Sequence, residues 1–258
     1  MKLFSMVASC AGEKSHTAKF SDMVAERLGT IADSCGETME YERITGADLK
    51  LNYCRSCENC FKNGICPLDK EDDMAEIKQK MLSADIIFFC SPVYCGSMSA
   101  LMKGVLDRLS YWMHRLELAG KTAAVLVTAS SNHGPQTAEG IAEAVRFLGA
   151  SVAYSGCVYR HKGVWGPCMY LQPEMEPLLN DICSRVMDSL KTPEKYITSG
   201  QELGFQTLNR TSRHARKLAD LIGEEPKNEV LVWEQRSLDR CKTLREYVAG
   251  MREKREMI

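Results

Sequence analysis

The chain has 258 residues, 45% apolar and 26% charged, long enough to bury a real core and too ordinary in composition for general disorder or a fibrous repeat. Its net charge of −1 offers no overall attraction to nucleic acid, and no apolar run approaches the roughly 20 residues that span a bilayer, so neither nucleic-acid nor membrane partners are expected. The opening "MKLFSMVASC" lacks the long apolar stretch of a secretory leader and reads as the first strand of a cytoplasmic protein, a reducing setting in which structural disulfides are rare.

Strand-like and helix-like segments alternate from there. "LFSMVAS" reads as a buried strand, and Phe20, Met23, Val24 and Leu28 follow at helical spacing. "TMEYERI" (Thr38 to Ile44) is a second strand leading into a cysteine-rich loop. Met74, Ile77 and Met81 mark a helix opening near Glu71, Asp72 and Asp73, where negative charge suits the positive end of the helix dipole. "DIIFFC" is the continuous apolar run expected of a central parallel strand. Leu101, Val105, Leu109 and Trp112 form the next helical stripe, "TAAVLVTA" the next strand, Ile141, Val145 and Leu148 another helix, and "SVAYSGCVY" the last strand. Five strands separated by helices predict a three-layer α/β sandwich over residues 1–160.

Residues 161–258 read as a mainly helical extension that packs on the same domain or at a subunit interface. Pro167, Pro173, Pro177 and Pro193 punctuate it; Leu178, Leu179, Ile182 and Val186 suit one helix, and Leu208, Ala215 and Leu218 another. Glu246 to Glu256 is highly charged and reads as a solvated helix. Trp165 and the large apolar residues that follow it suit a segment covering a core. There is no internal repeat.

In an open parallel sheet, ligands bind beyond the carboxyl ends of the strands, which draws attention to three loops. "SCAGEKSHT" (Ser9 to Thr17) offers the hydroxyls of Ser9, Ser15 and Thr17, a flexible Gly12 and a helix N-terminus; it suits a phosphate, and it equally suits a capped turn. It matches neither the nucleoside-triphosphate loop nor the dinucleotide fingerprint. "SPVYCGSMSALMKGVLDR" (Ser91 to Arg108) combines a backbone-fixing Pro92, a Tyr94 able to flank a flat ring, and a Gly96 that permits close approach of the main chain. "ASSNHGPQ" (Ala129 to Gln136) is rich in small residues around His133 and Gly134, and a lone loop histidine there is also simply a surface residue.

Four of the twelve cysteines lie in "CRSCENCFKNGIC": Cys54, Cys57, Cys60 and Cys66. A disulfide staple, zinc, an iron–sulfur cluster and a metal-free thiol loop are all open for such a cluster. Zinc sites usually set two cysteine knuckles a dozen or more residues apart, whereas a short loop can wrap three corners of a cubane and receive the fourth thiolate from a nearby turn. Cys66 precedes Pro67, as the last cysteine does in the bacterial ferredoxin run. Cys90 reads as core; Cys10 and Cys95 fall in the sheet-end loops, and Cys35, Cys157, Cys168, Cys183 and Cys241 are scattered without ligand spacing. No catalytic triad or carboxylate pair is evident.

"ADIIFFCSPVYCGSMSALMKGVLDR" resembles the flavin-loop signature of the flavodoxin-like NAD(P)H-dependent FMN reductase superfamily, and "CRSCENCFKNGICPLDKEDDM" resembles its iron–sulfur flavoprotein branch. The resemblance implies a flavodoxin-like five-stranded parallel sheet of order 2-1-3-4-5 with FMN in the three loops. Ser9, Ser15 and Thr17 would hold the phosphate; Pro92, Val93, Tyr94, Gly96, Ser97 and Met98 would line the isoalloxazine; Ala129, Ser130, His133 and Gly134 would close its other edge. Cys54, Cys57, Cys60 and Cys66 would ligate one 4Fe-4S cluster. The family's first loop usually runs close to Gly-Ser-Pro-Arg, where this chain has Ala8-Ser9-Cys10-Ala11, so Lys14 is the available cation in place of the arginine. The implied activity is that of an FMN-dependent oxidoreductase passing electrons from a ferredoxin-like donor or NAD(P)H to a small-molecule or protein acceptor. A cluster-free NAD(P)H:FMN or quinone reductase and a non-enzymatic redox carrier or sensor are the alternatives. Because cluster and flavin often communicate across a subunit boundary in this family, a homodimer or homotetramer is implied, with Trp165 and its neighbours available to cover the flavin or the interface.

Overall fold

Alternation along the central strands decides the architecture. The computed structural model describes residues 1–47, 49–161 and 166–256. In it β1 (Lys2–Val7), β2 (Glu40–Thr45), β3 (Ile86–Tyr94), β5 (Thr122–Ala129) and β6 (Ser151–Tyr159) run parallel, and the two-residue β4 (Ser97–Met98) folds back antiparallel on β3. Successive side chains leave opposite faces of a strand. Phe4, Met6, Ile87, Phe89, Val125 and Val127 therefore enter one apolar cluster, and Leu3, Val7, Ile86, Phe88, Ala124 and Leu126 enter the other. Full burial of each of the larger of these side chains, Val, Leu, Ile, Met or Phe, contributes about 1.5–3 kcal/mol relative to exposure. The spatial order is β2-β1-β3-β5-β6, which is the expected 2-1-3-4-5 once the inserted β4 is set aside.

Helices cover both faces. α1 (His16–Ser34) and α7 (Gln172–Lys191) pack on one, so the layer is completed from beyond residue 160: Met175, Leu179, Ile182, Cys183 and Val186 of α7 share a cluster with Phe20, Val24 and Leu28 of α1. α3 (Met74–Ser83), α4 (Ala100–Arg108), α5 (Ser110–Arg115) and α6 (Gly134–Phe147) cover the other face, and α2 (Asn59–Asn63) is a short turn of helix inside the cysteine loop. α8 (Ser199–Ile222), α9 (Asn228–Gln235) and α10 (Leu244–Glu256) build a third, smaller cluster around Phe205, Trp233, Leu238, Leu244 and Val248. None of the described helices is long and apolar enough to cross a membrane.

Three expectations change in detail. The stripe Leu101 to Trp112 is two helices, because the chain breaks step at Leu109 between α4 and α5. The helix expected from Leu208, Ala215 and Leu218 exists, but its buried face is Gln201, Phe205, Asn209, Ser212 and Ala219, and Leu218 is exposed. Polar groups in that face are held by bonds a hydropathy pattern does not show: Gln201 both closes the N-terminal capping box with Thr198 and donates to the carbonyls of Arg146 and Ala150 at 3.0 and 3.1 Å. The charged last helix is not wholly solvated either, since Leu244 and Val248 are fully buried. Trp165 lies outside the described residues.

Candidate functional site

Three strands end at a common cavity. It measures about 270 Å³ and is walled by Ser9, Ser15 and Thr17 after β1, by Pro92, Val93 and Tyr94 at the end of β3, and by Thr128, Ala129 and Ser130 at the end of β5, with Arg160 beyond β6. β1, β3 and β5 are adjacent, so the wall is set by sheet register rather than by loop preference.

The first loop is an N-terminal helix cap. Ser15 precedes the 19-residue α1 and its Oγ accepts from the Ala18 N–H at 3.1 Å, satisfying one of the first-turn donors. Thr17 and Thr128 hydroxyls bond each other at 2.6 Å in a buried position, tying this loop to the end of β5. Both the capping role and a place in the cavity wall thus hold for Ser15. Lys14 lines the same cavity, and Arg160 adds a second cation that the reading of the sequence missed. The backbone N–H of Arg160 donates to Ala129 O at 3.1 Å, which brings it to this end of the sheet. The signal was available, because Arg160 follows the fifth strand by the same rule that singled out the other three loops. His16 stands beside them; burial first, then the charges of Arg160, Lys19 and His161, hold its imidazole below its ordinary pKa, and its Nδ1 is hydrogen-bonded to the Tyr170 hydroxyl. The basic side chains of this corner favour an anion.

The second loop is a tight hairpin. Tyr94 pairs with Ser97, and the two residues between them, Cys95 and Gly96, have φ of 49° and 75°, the left-handed pair that primed hairpin turns require. Gly96 also lies against the third loop: a Cβ there would stand 3.5 Å from the His133 ring. His133 itself has φ 61° at the start of α6. Pro92 is buried, Val93 and Met98 are partly covered, and Tyr94 and Ser97 are exposed at the rim. Ala129 is buried in the wall and Ser130 exposed. Gly134 turns toward β6 instead, where an added Cβ would come within 2.4 Å of Cys157 Sγ, so close helix-on-strand packing explains its lack of a side chain.

The cysteine loop is built differently. Cys54 and Cys57 are exposed on irregular chain, where Ser56 and Glu58 both have positive φ; Cys60 lies in the first turn of α2 and Cys66 is buried at the start of a 3-10 turn. Burial first, then the neighbouring Cys66 and Cys54, push the Cys60 thiol up, and a bound cation would favour its thiolate. Four thiolates on one loop are the donor chemistry an iron–sulfur cluster requires. Among the described residues, however, no three His, Cys, Asp or Glu side chains are gathered into a group that could hold a metal ion. Cys90, Cys157 and Cys183 are ordinary core thiols, each pushed up to about 12 by burial.

Two anchors hold the ends of this loop. Arg108, whose side chain is fully buried, donates to Asn52 O at 2.9 Å and to Asp69 Oδ1 at 2.6 Å and pairs with the fully buried Asp72, while Asp72 accepts from the Asn52 N–H at 2.8 Å. Burial works against the Arg108 charge, and the bonds to Asp72 and Asp69 outweigh it. Lys78 completes the cluster on Asp69 at 2.6 Å. On the other flank α9 reaches the loop: His114 meets Glu229 at 2.9 Å and stacks edge-on with Phe61, and an added Cβ on Gly64 would strike Asn228 at 2.5 Å.

Residues 1–164 match the family described as NADPH-dependent FMN reductase. Among curated proteins, an iron–sulfur flavoprotein of Methanocaldococcus jannaschii is 41% identical over 45% of this chain and 58% of its own length. One from Archaeoglobus fulgidus is 33% identical over 39% and 45%, so the chain spans about half the length of these relatives. Among solved structures, RosB with a bound 8-demethyl-8-formylriboflavin-5'-phosphate superposes with TM-score 0.55 at 15% identity, over 84% of this chain and 87% of that one. An apo NADH:FMN oxidoreductase superposes with TM-score 0.51 at 19% identity, over 72% and 89%; at such identities the likeness is one of fold. With the match extending over residues 1–164 and the sheet order and loop-built cavity as described, the chain belongs to the NADPH-dependent FMN reductase family, among relatives named iron–sulfur flavoproteins.

Proposed function

We propose that the chain is a flavin-dependent oxidoreductase that binds FMN in the sheet-edge cavity and a 4Fe-4S cluster on Cys54, Cys57, Cys60 and Cys66. It would pass electrons between a ferredoxin-like donor or NAD(P)H and a small-molecule or protein acceptor. When bound, FMN exchanges one or two electrons and a cluster only one, so the pair would link two-electron to one-electron partners. The single observation carrying this reading is the cavity at the ends of β1, β3 and β5, in a chain whose family is that of FMN reductases.

In this reading Ser9, Ser15 and Thr17 surround the phosphate, with Lys14 and Arg160 supplying positive charge in place of the family's arginine. Pro92, Val93, Tyr94, Gly96, Ser97 and Met98 flank the ring, and Ala129, Ser130 and His133 close its far edge, with Gly134 letting α6 sit close to β6. Arg108 and Asp72 hold the thiol loop at its base. Assembly as a homodimer or homotetramer belongs to the same reading, since exposed Tyr53, Ile65 and Tyr94 are apolar surface of the kind subunit contacts cover. A cytoplasmic location would keep the twelve cysteines reduced.

Anaerobic purification with absorbance, flavin, iron and sulfide assays tests it. The expected result is one FMN with four irons and four sulfides per chain; colourless protein that cannot be reconstituted with FMN overturns the whole reading. The ungathered thiols favour a second reading, a cluster-free NAD(P)H:FMN or quinone reductase. Rapid flavin reduction by NADPH in iron-free protein would select it.

A further inference from the structure

The near-zero net charge conceals a local excess. On α8, Arg210, Arg213, His214 and Lys217 recur at spacings of three, four and seven, which places them on one face of the helix, and all four are exposed. They line a cavity of about 540 Å³ together with Gln206, Asn209 and Lys242, and no acidic residue contributes to its wall. Like charges four residues apart, Arg213 with Lys217, work against the helix that carries them. Nearby Arg216 shows the ordinary remedy, pairing with Asp220 at 3.1 Å and Glu234 at 3.3 Å. Among the described residues, Arg210, Arg213, Lys217 and Lys242 make no ion pair of that kind.

A second observation is independent of charge. Asn209, only 8% exposed, lies in the same wall; its Nδ2 donates to Cys241 O at 3.0 Å, while its Oδ1 is buried with no hydrogen-bond partner. An orphaned buried acceptor is costly, and what it lacks is an N–H or O–H. The open cleft therefore sets cations suited to an anion beside a wall residue whose buried acceptor lacks a donor.

We propose that this cavity binds a phosphorylated small molecule of nucleotide size, with Arg210, Arg213 and Lys217 on its phosphates and a hydroxyl or amino group of the ligand donating to Asn209 Oδ1. Its volume falls within the range of about 300–1,000 Å³ typical of small-molecule sites, and a concave wall suits such a ligand better than the face of an acidic protein. The site stands outside residues 1–164 and is independent of the flavin reading.

Calorimetric titration of the full chain with ADP at low salt tests this. Wild-type protein is expected to bind ADP and to lose at least tenfold in affinity in the double variant Arg210→Glu/Lys217→Glu, whose exposed positions leave the fold and the flavin content unchanged. Asn209→Asp, which sets a carboxylate beside the phosphates, should lose at least as much, and inorganic pyrophosphate should bind more weakly than ADP. ADP binding that survives the double variant, or no binding of ADP or pyrophosphate at millimolar concentration, overturns the site. Pyrophosphate matching ADP overturns the part assigned to Asn209. Retention of polyglutamate without ADP binding overturns it in favour of an acidic macromolecule.

Discussion

The sheet-edge cavity and the cysteine loop lie on the same chain and hold their candidate ligands by opposite means. The cavity wall is backbone continuous with buried strands, so Pro92, Thr128 and Ala129 are placed by hydrogen-bonded register. The cysteine loop is pinned at its ends by side chains distant in sequence, Arg108 and Asp72 at one and α9 at the other, while Cys54 and Cys57 between them stay exposed. A preformed cavity lets a cofactor bind without reorganising the fold, whereas a loop with ungathered thiols couples metal binding to its own closure.

The sharpest break between the two regions is Cys57→Ser. Iron content is expected to fall at least fourfold below that of the parent protein, while FMN content is retained; equal loss of both would mean the regions are not separable. Next is Arg108→Met, which strips a buried anion pair of its partner and is expected to destabilise the fold by about 3–5 kcal/mol. Urea unfolding measures the loss, and faster alkylation of Cys66 than of Cys90 would localise it to the loop. Arg160→Ala acts on the other region: if Arg160 meets the phosphate as proposed, losing a charge-assisted contact of about 1.5–3 kcal/mol is expected to weaken FMN binding roughly 10–150-fold, with riboflavin binding, which has no phosphate, unchanged. The smallest effect is acid dependence. Burial raises the Asp72 carboxyl, but Arg108 and the Asn52 and Met74 N–H groups outweigh it and hold its folded pKa below the ordinary 3.8. Its contribution is therefore complete above that value and lost as pH falls through the lower one. Stability measured across this range should fall more steeply in the parent than in Asp72→Asn.

The sheet was legible because its strands are short apolar runs set off by helical stripes, and the loops that wall the cavity follow from where such strands end. The β4 hairpin was not, because two residues give no period; only the left-handed demand at Cys95-Gly96 marks it. Arg160 was overlooked for want of a motif, although its place after β6 was decisive. The anchors of the cysteine loop were hidden by distance: Asn52, Asp69, Asp72 and Arg108 meet across as many as 56 positions, and Asp72 was read as dipole-matched charge when it is also the acceptor for Arg108. On α8, apolar periodicity misled, because Gln201 and Asn209 are buried with specific bonds while Leu218 and Leu221 face outward.

The bond between the Thr17 and Thr128 hydroxyls has a bearing on how a planar guest arrives. It laces two banks of the cleft into one body, so they cannot spread apart for entry without losing a sheltered contact. The third side is the turn at Cys95-Gly96, which rests against His133 and whose neighbour Tyr94 stands 59% exposed. A ligand of this cleft would therefore meet two of its sides already fastened together, with Tyr94 as the exposed side chain at its rim.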